Sequence, residues 1–285
     1  MLEMILSPRK AERETWEMFF VGMFYATLSI LLVNWIFAGD AVLSKYSGIL
    51  VVTFTVMFSM PFVYYSIKYE EEKDLKYNGA FKMLWEHSRA IYSFLWLFLG
   101  FIVAFSFWYV MLASTQSFRA QIETYCSINR PGNFNECVAD YGVKGTTRTT
   151  AFLTAKDKFF MIFANNIYVM IFTLVFSLIF GAGAIFVLAW NASVIAAAVG
   201  IFVKSDLSSL PLGIARYMIH GTPEIAAYFI AALAGGIVSV AVIKHDTRSD
   251  KFWNVLQDAL NLLILAVAVL FVAAAIEVFI TPALF

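Results

Sequence analysis

The chain has 285 residues and no net charge, with 61% of residues hydrophobic, 17% aromatic and 14% charged. A soluble domain is roughly 45–50% apolar and about 25% charged, so this composition excludes a water-soluble core. The balanced charge gives no footprint for a nucleic-acid partner.

A membrane span needs about 20 mostly apolar residues. The chain offers six such segments and one shorter one. The predicted fold class is therefore all-α: a polytopic transmembrane helix bundle of six spans plus one short half-helix or re-entrant segment, with seven spans as the alternative.

Residues 1–17 are polar, and Arg9, Lys10 and Arg13 precede the first apolar run. Positive residues stay on the cytoplasmic side, which predicts a cytoplasmic N-terminus in a multi-pass plasma-membrane protein. The first run is too long for the apolar region of a signal peptide, and no small-x-small cleavage site follows it. The first span is expected from Met18 to Ala38, with Trp16 and Trp35 as interfacial anchors and Asn34 near its far end, solvated or bonded locally. The second span, Gly48 to Ile67, holds Pro61, which frees a carbonyl and predicts a kink.

Tyr64, Tyr65 and Tyr69 close that span. The segment 68–90 then carries Lys68, Lys73, Lys76, Lys82 and Arg89 and reads as a cytoplasmic amphipathic helix along the membrane. Its charged face is either solvated or a partner surface; we read it as solvated. The third span, Ile91 to Ala113, is rich in Phe and Trp that pack on lipid and neighbouring helices. Residues 1–114 thus form a three-span region.

Residues 115–158 form an external loop or cap, a candidate site for a protein partner. Both cysteines, Cys126 and Cys137, lie there and read as a disulfide in an oxidising compartment; two free thiols are the alternative. No His lies near them, so a metal site is not expected.

Residues 159–285 form a second three-span region. Phe159 to Leu188 is apolar, with Asn165 and Asn166 near its start and Ser177, Gly181 and Gly183 inside it, small residues that allow close helix approach. Trp190-Asn191 interrupts the run, and Ala192 to Val203 is predicted as a half-helix, a re-entrant segment or a continuation tilted under its neighbours. The sequon at Asn191 is discounted at this depth. Residues 205–220 look interfacial.

Next comes His220-Gly221-Thr222-Pro223-Glu224. It has helix-start chemistry, with Thr222 as N-cap, Pro223 at the first helical position and Glu224 in the first turn. The span from Pro223 to Ile243 repeats Ala227, Ala231, Gly235 and Ser239 every four residues, a ridge for close helix packing, and Glu224 opens onto it. A charged linker, HDTRSDKFW, leads to the last span, Leu260 to Ile280, with Glu277 near its end, read as interfacial, and Pro282 stopping it.

The candidate polar site is Asn165, Asn166, Asn191, His220, Glu224 and Glu277. Their spacing matches no metal motif, and the chain has no Walker loop and no G-x-S-x-G. Asp is missing from every span interior. No catalytic residue, metal or cofactor is expected, and an enzyme is the least favoured class. Structural glue and a transport site both explain buried amides.

The paired amides Asn165-Asn166 with the glycine-containing run to Asn191, HGTPE before an Ala/Gly-rich helix, and the terminal IEVFITP resemble the stage II sporulation protein M family over about residues 160–282. The family usually shows Asn-Gly where this chain has Asn191-Ala192. The segments SPRKAERETWEMFFVG, IKYEEEKD and EHSRA resemble the N-terminal part of an archaeal branch of membrane proteins. In bacteria the family's named member is a membrane scaffold that recruits cell-wall hydrolases during engulfment, which implies binding without chemistry. The first expectation is therefore a membrane scaffold in the lipid bilayer, a homo-oligomer (we expect a dimer) through the small-residue face. The second is a channel or secondary transporter with the polar site in its path.

Overall fold

The computed structural model describes residues 14–37, 39–40, 42–74, 80–112, 115–129, 133–141, 154–180, 184–203, 207–244 and 250–284. Arg9, Lys10 and Arg13, Gly181 and Gly183, and the side chains of Lys68, Tyr69, Lys73, Lys76 and Lys82 lie outside them, as does the stretch 142–153 of the cap. Among the described residues every regular element is helical, and seven helices are long and apolar enough to cross a membrane.

In chain order the elements are α1 (Glu17–Phe37), α2 (Ser47–Asp74), α3 (Ala80–Met111), α4 (Arg119–Asn129), α5 (Phe134–Asp140), α6 (Ala155–Phe180), α7 (Ala184–Val203), α8 (Leu210–Lys244) and α9 (Asp250–Ala275). A π-turn, Ile276–Ile280, and a last helical turn, α10 (Thr281–Leu284), extend α9. The chain is a multi-pass membrane bundle. α7 and α8 form its centre, with 67% and 61% of their spans buried, whereas α6 and the α9 span are 28% buried and form its flank. Two three-helix groups, α1–α3 and α6, α8, α9, are joined by α7, which packs on α2, α3 and α8.

Close approach of backbones is what makes this packing possible. Gly22 of α1 and Gly100 of α3 face each other: a Cβ on Gly22 would collide with Leu97 O, and one on Gly100 with Phe19 O. α7 is lined with fully buried Ala189, Ala192, Ala196 and Ala197, and its Gly200 lies under the Tyr109 ring of α3. Without a hydrophobic drive between helices in lipid, such small-residue contacts supply the dispersion that holds a bundle.

Several features differ from the sequence-based expectations. α7 runs unbroken through Trp190-Asn191, so residues 192–203 are the second half of a spanning helix and no re-entrant piece. The Asn191 Nδ2 donates to Val187 O at 2.7 Å and Ser193 Oγ to Trp190 O at 2.7 Å, so both polar groups are satisfied by their own helix. α8 is likewise continuous from Leu210 to Lys244 with Pro223 inside it. Thr222 Oγ1 donates back to Met218 O at 2.7 Å and does not cap a helix. Ser, Thr and Pro serve helix starts and helix interiors by the same short-range bonds, which is why the pattern misleads. α2 runs to Asp74 and α3 begins at Ala80, so helix covers 68–74 and 80–90 of the segment expected to lie along the membrane. α9 begins at Asp250, inside the expected linker. α2 also passes unbroken through Pro61.

Cys126 and Cys137 are joined by a disulfide between α4 and α5, with Cα atoms 5.8 Å apart and both residues fully buried. This cap sits on the bundle. Ser117 Oγ donates to Asn34 Oδ1 at 2.8 Å, so Asn34 bonds to the cap and is neither solvated nor locally bonded. The buried Gln121 donates through Nε2 to Gly48 O at 2.9 Å and to Ser193 Oγ at 3.2 Å, linking α4 to α2 and α7. Between α1 and α2, the exposed Asp40 carboxylate accepts from Val42 N and Leu43 N, both at 2.8 Å, which holds it below the usual carboxylate range.

The glycine crossing generates a prediction. Gly100→Leu should lower stability by about 1–3 kcal/mol or abolish folding, because the α1 backbone must move. Gly39→Ala, where nothing lies within 4 Å, should leave the melting temperature in detergent unchanged.

Candidate functional site

The site grows from α6. Its start is fixed by a reciprocal cap that the sequence reading missed: Asp157 N donates to Thr154 Oγ1 at 3.2 Å, and Thr154 Oγ1 and N donate to Asp157 Oδ2 at 2.6 and 3.3 Å. Twelve residues further, about 18 Å along the helix, Asn166 turns into the bundle. It is 6% exposed, and its Nδ2 donates to Glu224 Oε1 at 2.8 Å.

Glu224 lies midway along α8. The reading of HGTPE as a helix start would leave this carboxyl at an interface; in the continuous α8 it faces other helices instead. Its second contact is Glu277, with which it shares a hydrogen bond. Glu277, a candidate site residue whose position also suits an interface, lies in the cluster, on the π-turn of the last span. A π-turn inserts one residue and re-aims the side chains that follow, and such turns occur often at functional sites. Two carboxylates cannot hydrogen-bond to each other without a proton between them.

His220, one turn before Glu224 and 8% exposed, contacts Thr281 beyond the π-turn, with Nδ1 and Oγ1 3.2 Å apart. The Thr281 hydroxyl donates to Ile276 O at 3.2 Å. Its one proton being used there, the His220 Nδ1–H is the donor to Thr281 Oγ1, which leaves Nε2 as an acceptor. Tyr217 and Tyr228 extend the same face of α8. Tyr217 hydrogen-bonds with Tyr125 of the cap, and Tyr228, 1% exposed, lies within electrostatic reach of both carboxyls.

Asn166, His220, Glu224 and Glu277 thus gather from three helices. Asn191 does not join them, since its Nδ2 serves Val187 O in α7. Asn165 lies about 100° round α6 from Asn166, and it is Asn166 that bonds to Glu224. Tyr217, Tyr228 and Thr281 were missed. The i, i+3, i+7, i+11 spacing of Tyr217, His220, Glu224 and Tyr228 marks them as one helical face once Pro223 is taken as interior.

The ridge of Ala227, Ala231, Gly235 and Ser239 packs inside this chain. A Cβ on Gly235 would lie 2.8 Å from Leu174 O, and Ser177 Oγ donates to Ala232 O at 2.6 Å. α6 therefore occupies the face on which a dimer was expected, and the ridge offers no surface to a second copy. Among the described residues no group of three or more His, Cys, Asp or Glu could hold a metal ion.

Helices of this length, with ionisable and amide groups bonded across them, define a polytopic α-helical membrane protein with an intramembrane polar cluster. Residues 48–282 match the family model of stage II sporulation protein M, and the chain belongs to that family. The match begins well before residue 160, taking in α2, α3 and the cap, and it contains the whole cluster. No curated protein and no solved structure matches the chain.

Asn166→Ala should destabilise the protein by about 0.5–2 kcal/mol, the range of interhelical hydrogen bonds in membranes. Glu224→Gln should cost less, because an amide still bonds both Asn166 and Glu277. A double-mutant cycle of thermal unfolding in detergent checks the coupling between positions 166 and 224.

Proposed function

We propose that this protein is a secondary transporter or channel that binds a proton or small cation at Glu224, Glu277 and Asn166. The observation that supports the reading is the meeting of two carboxyl groups and an amide, from three helices, in the middle of an apolar bundle. Ionisable groups inside a membrane are costly and as a rule serve ion or proton paths. Hydrogen-bonding glue would need only amides and hydroxyls, of which the chain has plenty; a carboxyl pair adds a titratable site.

The membrane scaffold that the family resemblance implies is the second reading. Its support is the disulfide-linked cap, which offers α4 and α5 as a preformed binding surface without any chemistry. Neither reading needs a cofactor or an enzymatic reaction. In both, the N-terminus is cytoplasmic, on the strength of Arg9, Lys10 and Arg13, and the cap faces outward.

Proton and cation flux into proteoliposomes tests the choice. The wild type should carry flux, and Glu224→Gln and Glu277→Gln, matched to it in thermal stability, should each abolish it. Absence of flux across protons and several cations in the wild type would overturn transport and leave the scaffold, whose function should then fail on changes in the cap and survive Glu224→Gln.

A further inference from the structure

The two ends of the cluster are built differently. Towards the cap, the side chains that follow the carboxyl pair along α8 are polar: His220, then Tyr217, which bonds to Tyr125 of α4. The Tyr217 and His220 rings lie edge to face with centroids 6.1 Å apart. Thr281 sits beside His220, and the exposed Lys158, one turn into α6, is within electrostatic reach of Glu277. Away from the cap, α8 continues as Ile225, Ala227, Ala231, Ala234 and Ile237, all buried. Its Gly235 lies against Leu174, and the hydroxyls of Thr173 and Ser177 donate to backbone carbonyls, Val169 O at 2.8 Å and Ala232 O at 2.6 Å. Past Tyr228, the described residues of that half are packed through small and apolar side chains, and the Thr173 and Ser177 hydroxyls are spent on the backbone.

We infer that the ligand of the Glu224–Glu277 pair is a proton exchanged with the cap face alone, through Tyr217 and His220. The inference rests on the transport reading for its purpose, though not for its chemistry. In the loading step His220 Nε2 takes a proton from hydronium at the Tyr217 end, releasing water, and the imidazolium then gives one proton to a carboxylate of the pair. The ring returns to neutral, and the pair gains the proton it shares. The groups within hydrogen-bond or electrostatic reach of the pair are Asn166 and Lys158 on α6 and Tyr217 and Tyr228 on α8; His220, one turn before Glu224, meets Thr281 on α10 and has Arg216 acting on it from its own helix. His220 is a positioning and relay residue, distinct from the pair that binds.

The test is infrared spectroscopy on full-length protein in vesicles of uniform orientation, with a pH or deuterium jump applied to one face. The wild type should show a protonated-carboxyl band that Glu224→Gln or Glu277→Gln removes and that responds fast to the cap face and slowly to the other. His220→Asn keeps an N–H for Thr281 but cannot carry a proton, so it should fold normally, retain the band, and slow its exchange on the order of a hundredfold. Tyr217→Phe should slow exchange as well. A band that exchanges as fast in His220→Asn as in the wild type, or that responds first to the opposite face, would overturn the inference, and so would the absence of any such band. A band with the expected His220 dependence in a protein that carries no flux would uphold the proton site and remove the transporter.

Discussion

Everything in the second half of the bundle depends on the electrostatic cost of placing carboxyl groups among apolar helices. The one cation within electrostatic reach among the described residues, Lys158 near Glu277, is exposed, and the two carboxyls find each other across α8 and the last span. That bond, with Asn166 on the third side, fixes how α6, α8 and the π-turn face one another. An ordinary α-helical course through Ile276–Ile280 would aim the side chains on either side differently. The π-turn is thus the backbone's answer to the position of Glu224, held by the Thr281 hydroxyl on Ile276 O.

The small residues do complementary work. Gly22 and Gly100 bring α1 and α3 to backbone contact, and Gly235 does the same for α8 and α6. Dispersion between closely approaching backbones supplies attraction that burial of large side chains cannot supply in lipid. The Ala-rich α7 occupies the centre because only a thin helix fits there, between α2, α3, α4 and α8. Large side chains such as Tyr168, Phe271 and Phe279 face outward, where lipid would be their neighbour, while Phe98, Phe101, Phe105 and Tyr228 fill the interior.

The sequence carried the fold class plainly, since hydropathy and helix length are set by the bilayer itself. It carried both ends of α1 and the C-terminal end of α3 within a few residues. It misplaced the breaks. Trp190-Asn191 looks like an interruption because hydropathy counts an amide as polar, whereas Asn191 is satisfied by the carbonyl one turn before it. HGTPE looks like a helix start because Thr and Pro are favoured there, yet tertiary packing carries α8 through Pro223. That error hid the face shared by Tyr217, His220, Glu224 and Tyr228. Within the candidate site, Asn166, His220, Glu224 and Glu277 were legible as polar residues out of place. Their convergence was not, because it depends on helix rotation and on a π-turn that has no signature in composition.

The cap is anchored to both halves of the molecule at once. Gln121 holds α4 to α2 and α7, Ser117 holds its approach to α1, and Tyr125 holds it to Tyr217 on α8. With α5 fastened to α4 by the disulfide, these attachments share one short rigid body. It behaves as a tie-bar across the mouth of the bundle. Any rocking of α8 against the α1–α3 group must either drag the cap along as a lever or part the two tyrosines, so the weakest of its anchors sets the direction in which the halves can separate.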